Sequence, residues 1–183
     1  VKPVNQAPDT MVTLIAALAS QELAKGRRPK DAVKEVKSRL HQSVAAYHAG
    51  RPDVAAWRNL LERATDDESI RAACREVMAV HHSTRERLPS LDIFYATVLG
   101  DLPGVTTLLD LGCGLNPLAL PWMGLPATAT YLACDVDHAQ MAFLGWWLDF
   151  QRQPGRAFVC NLLDGVPPAI GPVDVALLLT IVP

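Results

Sequence analysis

Two carboxylates, two glycines and an amide stand at spacings that suit the capture of a nucleotide-like ligand. Val105-Thr-Thr-Leu-Leu-Asp110 is an apolar, β-branched run ending in an acid, and Leu111-Gly112-Cys-Gly114-Leu-Asn116-Pro117 follows it. Glycines placed after a strand make a tight turn and let backbone N–H groups approach a ligand closely. Asn116 is a good helix N-cap and Pro117 suits the first helical position, so a short helix is expected to open there. A second apolar run, Tyr131-Leu-Ala-Cys-Asp135, ends in a carboxylate about twenty residues further on, where an acid accepts hydrogen bonds from both ribose hydroxyls.

This spacing serves both NAD and S-adenosylmethionine, and the turn itself distinguishes them. A pyrophosphate binder runs G-x-G-x-x-G/A into a long helix. Here Asp110 precedes the first glycine, and an acid at that position repels a pyrophosphate but suits a sulfonium and an ammonium group. The residues therefore favour S-adenosylmethionine. A glycine turn without a ligand is the alternative, and the second acid, standing where a ribose needs it, speaks against it.

The elements that must position these groups follow from periodicity. Short apolar runs near 105–110, 130–134, 156–160 and 173–181 read as strands alternating with helices or loops, the pattern of a parallel sheet. Between the second and third, Asp137 and Gln140 are expected to cap a helix through about Gln151 that carries Met141, Leu144, Trp147 and Leu148 inward. Trp146 and Trp147 lie about 100° apart around that helix and cannot both face the core.

Five helices are expected before the sheet. The first spans 9–24 with Asp9 as its cap, and the second opens at Pro29 and Asp31 with Ala32, Val33, Val36, Leu40 and Val44 as its apolar stripe. The third runs from Pro52 to about Ala64 with Val54, Trp57, Leu60 and Leu61 inward. Thr65-Asp-Asp-Glu68 and Ser83-Thr-Arg-Glu86 read as capping boxes for the last two. The fifth is expected to turn Leu88, Leu91, Ile93, Phe94, Val98 and Leu99 inward. The division expected is a helical subdomain over 1–100 packed on a ligand-binding part over 101–183.

The net charge of -2 over 183 residues conceals an asymmetry. Residues 1–100 carry 15 Lys and Arg against 12 Asp and Glu, and residues 101–183 carry 2 against 7. Lys25, Arg27, Arg28, Lys30, Lys34 and Lys37 gather the basic charge where it can neutralise phosphates, or form a solvated helix face. No apolar run approaches a membrane span and none has the layout of a signal peptide, so a cytoplasmic location is expected. Cys74, Cys113, Cys134 and Cys160 show neither C-x-x-C pairing nor zinc spacing and are expected to be reduced, buried and without a metal.

Three segments together resemble a known family. Leu109-Asp-Leu-Gly-Cys-Gly-Leu-Asn-Pro-Leu-Ala-Leu120, His82-Ser-Thr-Arg-Glu-Arg-Leu88 and Pro29-Lys-Asp-Ala-Val-Lys-Glu-Val-Lys-Ser-Arg-Leu-His41 are similar to the 16S ribosomal RNA guanine-N7 methyltransferases of aminoglycoside resistance. The resemblance implies an α/β fold, a Rossmann-like class I methyltransferase sheet of which about four parallel strands are present, with an N-terminal all-helical subdomain. It implies S-adenosylmethionine as cofactor and 16S rRNA in the 30S subunit as partner, with neither membrane nor metal. It puts Gly112, Gly114 and Asn116 around the methionine moiety, Asp135 on the ribose and Arg87, or Arg85, on the methionine carboxylate. His82 is read as an orienting or surface residue.

Two departures from the family pattern stand out. Its acid after the third strand falls at Leu162, with Asn161 and Asp164 on either side as candidate substitutes at the adenine, and its lysine near the end of the fourth falls at Thr180. The reaction implied is displacement at the sulfonium methyl by guanine N7, whose in-plane lone pair needs no general base, so no catalytic residue is assigned. A methyltransferase acting on another substrate, or a silent cofactor- or RNA-binding fragment, remains open. The chain begins at Val1 and stops at Pro183 after an apolar run, and both ends read as cuts. Leu177, Leu178, Leu179, Ile181 and Val182 would leave a sheet edge that demands a neighbour. These 183 residues alone are therefore expected to bind cofactor weakly and to leave 30S subunits unmethylated. A chain longer by roughly 70–90 residues, enough for further strands and crossovers, is expected to methylate them.

Overall fold

The computed structural model describes residues 10–36, 53–100, 102, 104–162 and 170–179. Asp9, Lys37, Leu40, Val44, Pro52, Asp164, Thr180, Ile181 and Val182, all invoked above, lie outside the described residues.

Helices precede the sheet, as the periodicity requires. They are α1 Thr10–Ala24, α2 over 29–36, α3 Val54–Glu62, α4 Asp67–Met78, α5 His82–Arg87, a 3₁₀ turn Leu88–Ser90 and α6 Leu91–Leu99. Then come β1 Thr107–Leu111, a 3₁₀ turn Asn116–Ala119 running into α7 Leu120–Met123, and β2 Thr130–Asp135. The described part closes with α8 His138–Phe150, β3 Gly155–Val159 and β4 Val175–Leu177.

The four strands are parallel in the order β3-β2-β1-β4. Leu109 stands opposite Leu132 and Ala176, and Ala133 stands opposite Asp110 and Ala157. The chain winds outward from β1 to β3 and then crosses to the other side of β1, and such a reversal opens a crevice at the strands' carboxyl ends. Helices on a parallel sheet bury its strands, which explains their near-continuous apolar character. Trp57, Leu61, Val77, Met78, Leu91, Tyr95 and Leu99 from the helices share one apolar cluster with Leu108, Tyr131, Phe143, Leu144 and Trp147. Ala19, Ala32 and Val36 of α1 and α2 are buried outside that cluster.

Several expectations are corrected. The box that opens α4 pairs Asp66 with Ser69, one residue beyond the expected pair: Ser69 N donates to Asp66 Oδ1 at 2.8 Å and Asp66 N to Ser69 Oγ at 3.1 Å. The Ser69 N–H and, at 2.9 Å, the Ser69 hydroxyl both donate to Asp66 Oδ1 and hold that carboxyl below its usual range. No capping box opens at Ser83, because its Oγ lies 2.8 Å from His81 Nδ1 and His81 becomes the N-cap. The expected fifth helix is broken at Pro89, which has no N–H to donate, into α5, the 3₁₀ turn and α6. On α6 the buried stripe is Leu91, Tyr95 and Leu99, which leaves Ile93 73% and Val98 36% exposed. Val33, one position round from buried Ala32, is likewise exposed. Asn116 is not a cap: Leu115 holds that position, and the Asn116 side chain turns inward. Of the two tryptophans, Trp147 is buried and donates from Nε1 to Pro117 O at 2.9 Å, while half-buried Trp146 stacks between Phe143 and Phe150 with Arg58 over its ring.

Candidate active site

Asp110 is the one charged residue buried within β1, at 1% exposure, and everything in the crevice is arranged around it. Its Oδ2 accepts from Tyr131 Oη–H at 2.7 Å and from Asn116 Nδ2 at 2.9 Å. Its Oδ1 is buried and has no partner among the described residues. Burial pushes this carboxyl up to about 6, although the Asn116 and Tyr131 hydrogen bonds and the charge of Arg87 pull it down. A buried carboxylate oxygen with no donor is costly, and a cation or N–H group brought to it recovers that cost.

Asn116 connects this acid to a base. Its Oδ1 accepts from Arg87 Nη2 at 3.2 Å and from the Tyr95 hydroxyl. Arg87 leaves the last turn of α5, reaches Leu179 O with Nη1 at 3.5 Å and lies over the Phe94 ring at 5.9 Å. Its Nε is buried without a partner among the described residues. Arg85 is exposed. Tyr95, buried on α6, has its hydroxyl pushed up by burial and so stays a donor.

The turn after β1 is held from three sides. Gly112 and Gly114 adopt φ of 59° and 51°, a region costly for any residue with a Cβ. Gly114 N donates to Asp135 Oδ2 at 2.9 Å, at the end of β2, and Val136 N donates to Asp135 Oδ1 at 2.6 Å. Gly114 O accepts from Gln140 Nε2 at 2.8 Å. A Cβ on Gly114 would stand 2.8 Å from Cε1 of buried His81. The two bonds from Gly114 N and Val136 N orient the Asp135 carboxylate at the end of β2.

Asn161, 5% exposed, follows β3, and its neighbour Cys160 N donates to Asp135 O at 2.9 Å. Cys113 N donates to Cys134 O at 3.0 Å, and all four cysteines are buried, where loss of solvation pushes the thiols of Cys74 and Cys134 up to about 12. Such thiols are packing groups rather than nucleophiles. Among the described residues no group of three metal-ligating side chains occurs, and no helix is long and apolar enough to cross a membrane.

Arg87, Asp110, Gly112, Gly114, Asn116 and Asp135 thus meet in one corner. The basic residues do not join them. Lys25 and Arg27 both bind Glu22, at 2.8 and 2.9 Å, Arg27 also reaches Glu35 at 3.5 Å, and Arg28 binds Asp31 at 2.7 Å. Sequence reasoning missed His81, Tyr95 and Gln140 and the role of Tyr131. It weighed His82, which is exposed and pairs with Glu86 at 3.2 Å, in place of its neighbour.

A family model described as "Ribosomal RNA methyltransferase (FmrO)" matches residues 5–183. A 16S rRNA (guanine(1405)-N(7))-methyltransferase of Frankia casuarinae is 41% identical over 97% of this chain and 62% of its own length. Its counterpart in Micromonospora echinospora is 42% identical over 97% of this chain and 64% of its own. The chain therefore spans less than two thirds of the length of these relatives. Among solved structures, the 16S rRNA methyltransferase RmtF in complex with S-adenosyl-L-homocysteine superposes with a TM-score of 0.70 at 27% identity, over 94% of this chain and 69% of that one. The 16S rRNA methylase RmtB superposes with a TM-score of 0.68 at 25% identity, over 93% of this chain and 63% of its own.

Proposed function

The chain belongs to the FmrO family of ribosomal RNA methyltransferases, and from that premise we propose that its crevice holds S-adenosylmethionine for methyl transfer to N7 of a guanine in 16S rRNA. The observation that carries this reading is a matched pair of unsatisfied buried atoms: Asp110 Oδ1, an acceptor, and Arg87 Nε, a donor, joined through Asn116. An α-amino acid carries an ammonium and a carboxylate on one carbon and complements both. The methionine end of the cofactor fits this pair, and the fit explains why an acid rather than a glycine-only turn precedes Gly112. RmtF, a relative in fold, carries the demethylated form of the same cofactor.

In this reading Arg87 binds the methionine carboxylate and Asp110 its ammonium. Gly112 and Gly114 allow close approach, and Asp135 accepts from the ribose hydroxyls. Asn116 holds Asp110 and Arg87 in register, its oxygen taken by Arg87 and Tyr95 and one of its two N–H groups by Asp110, which leaves the other N–H for the methionine moiety. Asn161 lies near the adenine, with Asp164 as the other candidate.

When bound, S-adenosylmethionine supplies an electrophilic methyl on a sulfonium. Guanine N7 is a nucleophile without deprotonation, so this chain's residues bind, orient and exclude water and none acts as a general base. Orientation of reacting atoms about 3 Å apart is the main source of rate, and the base must be exposed by flipping or local distortion. Lys25, Arg27, Arg28, Lys30, Lys34 and Lys37 meet phosphates of the 30S subunit in this reading. The activity is cytoplasmic and confers aminoglycoside resistance. The test is mass mapping of 16S rRNA after 30S subunits are incubated with S-adenosylmethionine and the full chain, meaning one of its relatives' length rather than these 183 residues alone. One added methyl on a guanine N7 is expected, and unmodified 16S rRNA contradicts the proposal.

A further inference from the structure

Gly114 has two properties that conflict. Its positive φ and the His81 ring against its Cα require a residue without a Cβ, yet a residue without a Cβ has the widest backbone freedom of all. The turn keeps one conformation only because groups outside it fix both dihedral angles. The acceptor for the Gly114 N–H, Asp135 Oδ2, fixes φ, and the donor to its C=O, Gln140 Nε2, fixes ψ.

Gln140 is built for that task. It is the third residue of α8 and 4% exposed, and its backbone N–H is held by the N-cap Asp137 at 2.9 Å. Its Nε2 lies 2.8 Å from Gly114 O, across 26 residues of chain. A buried amide that leaves its own helix to satisfy a carbonyl in the crevice is costly to lose, since the carbonyl then keeps only the weak Cys113 S–H donor at 3.5 Å.

We propose that Gln140 is a positioning residue for the cofactor's ribose, acting through the Gly114 peptide on the Asp135 carboxylate. The inference rests on the reading of this corner as the cofactor site. With Gln140 in place, the Gly114 N–H stays aimed at Asp135 and leaves that carboxylate one orientation. Without it, the glycine turns, the N–H leaves Asp135, and the carboxylate loses the bond at Oδ2 that, together with Val136 N at Oδ1, holds it toward the hydroxyls. The contribution of Gln140 to affinity therefore exists only while Asp135 is present.

A double-mutant cycle on the full chain tests this, with S-adenosylhomocysteine as the titrant and melting temperature as the control for folding. Gln140→Met, which keeps the length and removes the donor, is expected to weaken binding about tenfold in the parent. In an Asp135→Ala background it is expected to weaken binding less than twofold, because groups that act as a unit are not additive. If Gln140→Met does not fold, Gln140→Glu, of unchanged shape, takes its place in the cycle. Equal losses in both backgrounds, or no loss in either while the parent binds, overturn the role of Gln140. A parent that binds no S-adenosylhomocysteine overturns the reading of the corner, and the inference falls with it.

Discussion

Around Gly114 the charged groups are buried or half-buried and tied to partners far along the chain, whereas around Arg27 the cations are exposed and tied to acids a few residues away, of which Glu22 alone is buried. Arg87 meets Asn116 across 29 residues and Tyr131 meets Asp110 across 21, while Lys25 and Arg28 bind acids three residues off. Arg28 and Lys25 expose 86% and 65% of their side chains. Long-range buried bonds exist only in the folded chain, so the crevice is organised before a ligand arrives, and less binding energy is lost to ordering it. A local pair exposed on both sides, such as Arg28 with Asp31, contributes little, is screened by salt and can be exchanged for a phosphate. Glu22, Asp31 and Glu35 already occupy Lys25, Arg27 and Arg28. Among the described residues no carboxylate lies within ion-pair distance of Lys30 or Lys34, so they are the ones on which to test the proposed phosphate contact.

The contrast breaks most visibly at Gly114. Gly114→Ala forces a Cβ into positive φ and against His81, at a cost of about 1–3 kcal/mol of stability for the strain alone. Thermal melts should show a clear drop, and titration should show no binding of S-adenosylhomocysteine. A variant that melts and binds like the parent would mean the turn is not rigid.

Asp110→Asn sharpens the contrast through pH. The folded carboxyl is raised from 3.8 to about 6, so between those values the folded chain keeps a proton that the unfolded chain has released. This group's contribution is therefore intact below pH 4, and stability falls as pH rises towards 6, by up to about 3 kcal/mol for a shift of this size. The melting temperature of the parent should fall relative to Asp110→Asn across that window and run level with it above. Parallel curves throughout would mean the carboxylate is solvated.

Asp135→Ala is expected to cost about 1.5–3 kcal/mol of cofactor affinity, the range for a charge-assisted hydrogen bond; calorimetry showing equal affinity removes Asp135 from the ribose. At the basic end, Lys30→Glu with Lys34→Glu should weaken 30S binding and flatten its log-log salt dependence by nearly one unit per lost phosphate contact. An unchanged slope would make this a solubilising surface. Smallest of all, Arg28→Ala should alter stability by less than about 0.5 kcal/mol in chemical melts, as exposed pairs usually do.

What could be read from the residues follows the same division. Gly112, Gly114, Asp110 and Asp135 were legible because positive φ demands glycine and a parallel-sheet site needs its acids at strand ends. The strands lie within two residues of expectation at their starts for the same reason: apolar runs flanked by polar turns leave little choice. His81, Tyr95 and Gln140 were not legible, because each finds its partner through packing rather than spacing. Tyr95 belongs to a stripe with Leu91 and Leu99 that reads as plain core, and only its hydroxyl reaches Asn116. The capping box at Ser83 was misread because an imidazole two residues earlier competes for the hydroxyl. Asn116 has the composition of a cap, yet a buried acid and guanidinium outbid the helix end for its amide.

The most direct test of the crevice as a cofactor site is calorimetric titration of S-adenosylhomocysteine into the full chain and into Asp110→Asn at pH 7.5. The expected result is one site in the parent and at least tenfold weaker binding in the variant, with both chains folded by thermal melt, because the variant presents an N–H where the ligand's ammonium needs an acceptor. Equal affinities in the two chains, or no binding to a folded parent, would contradict it.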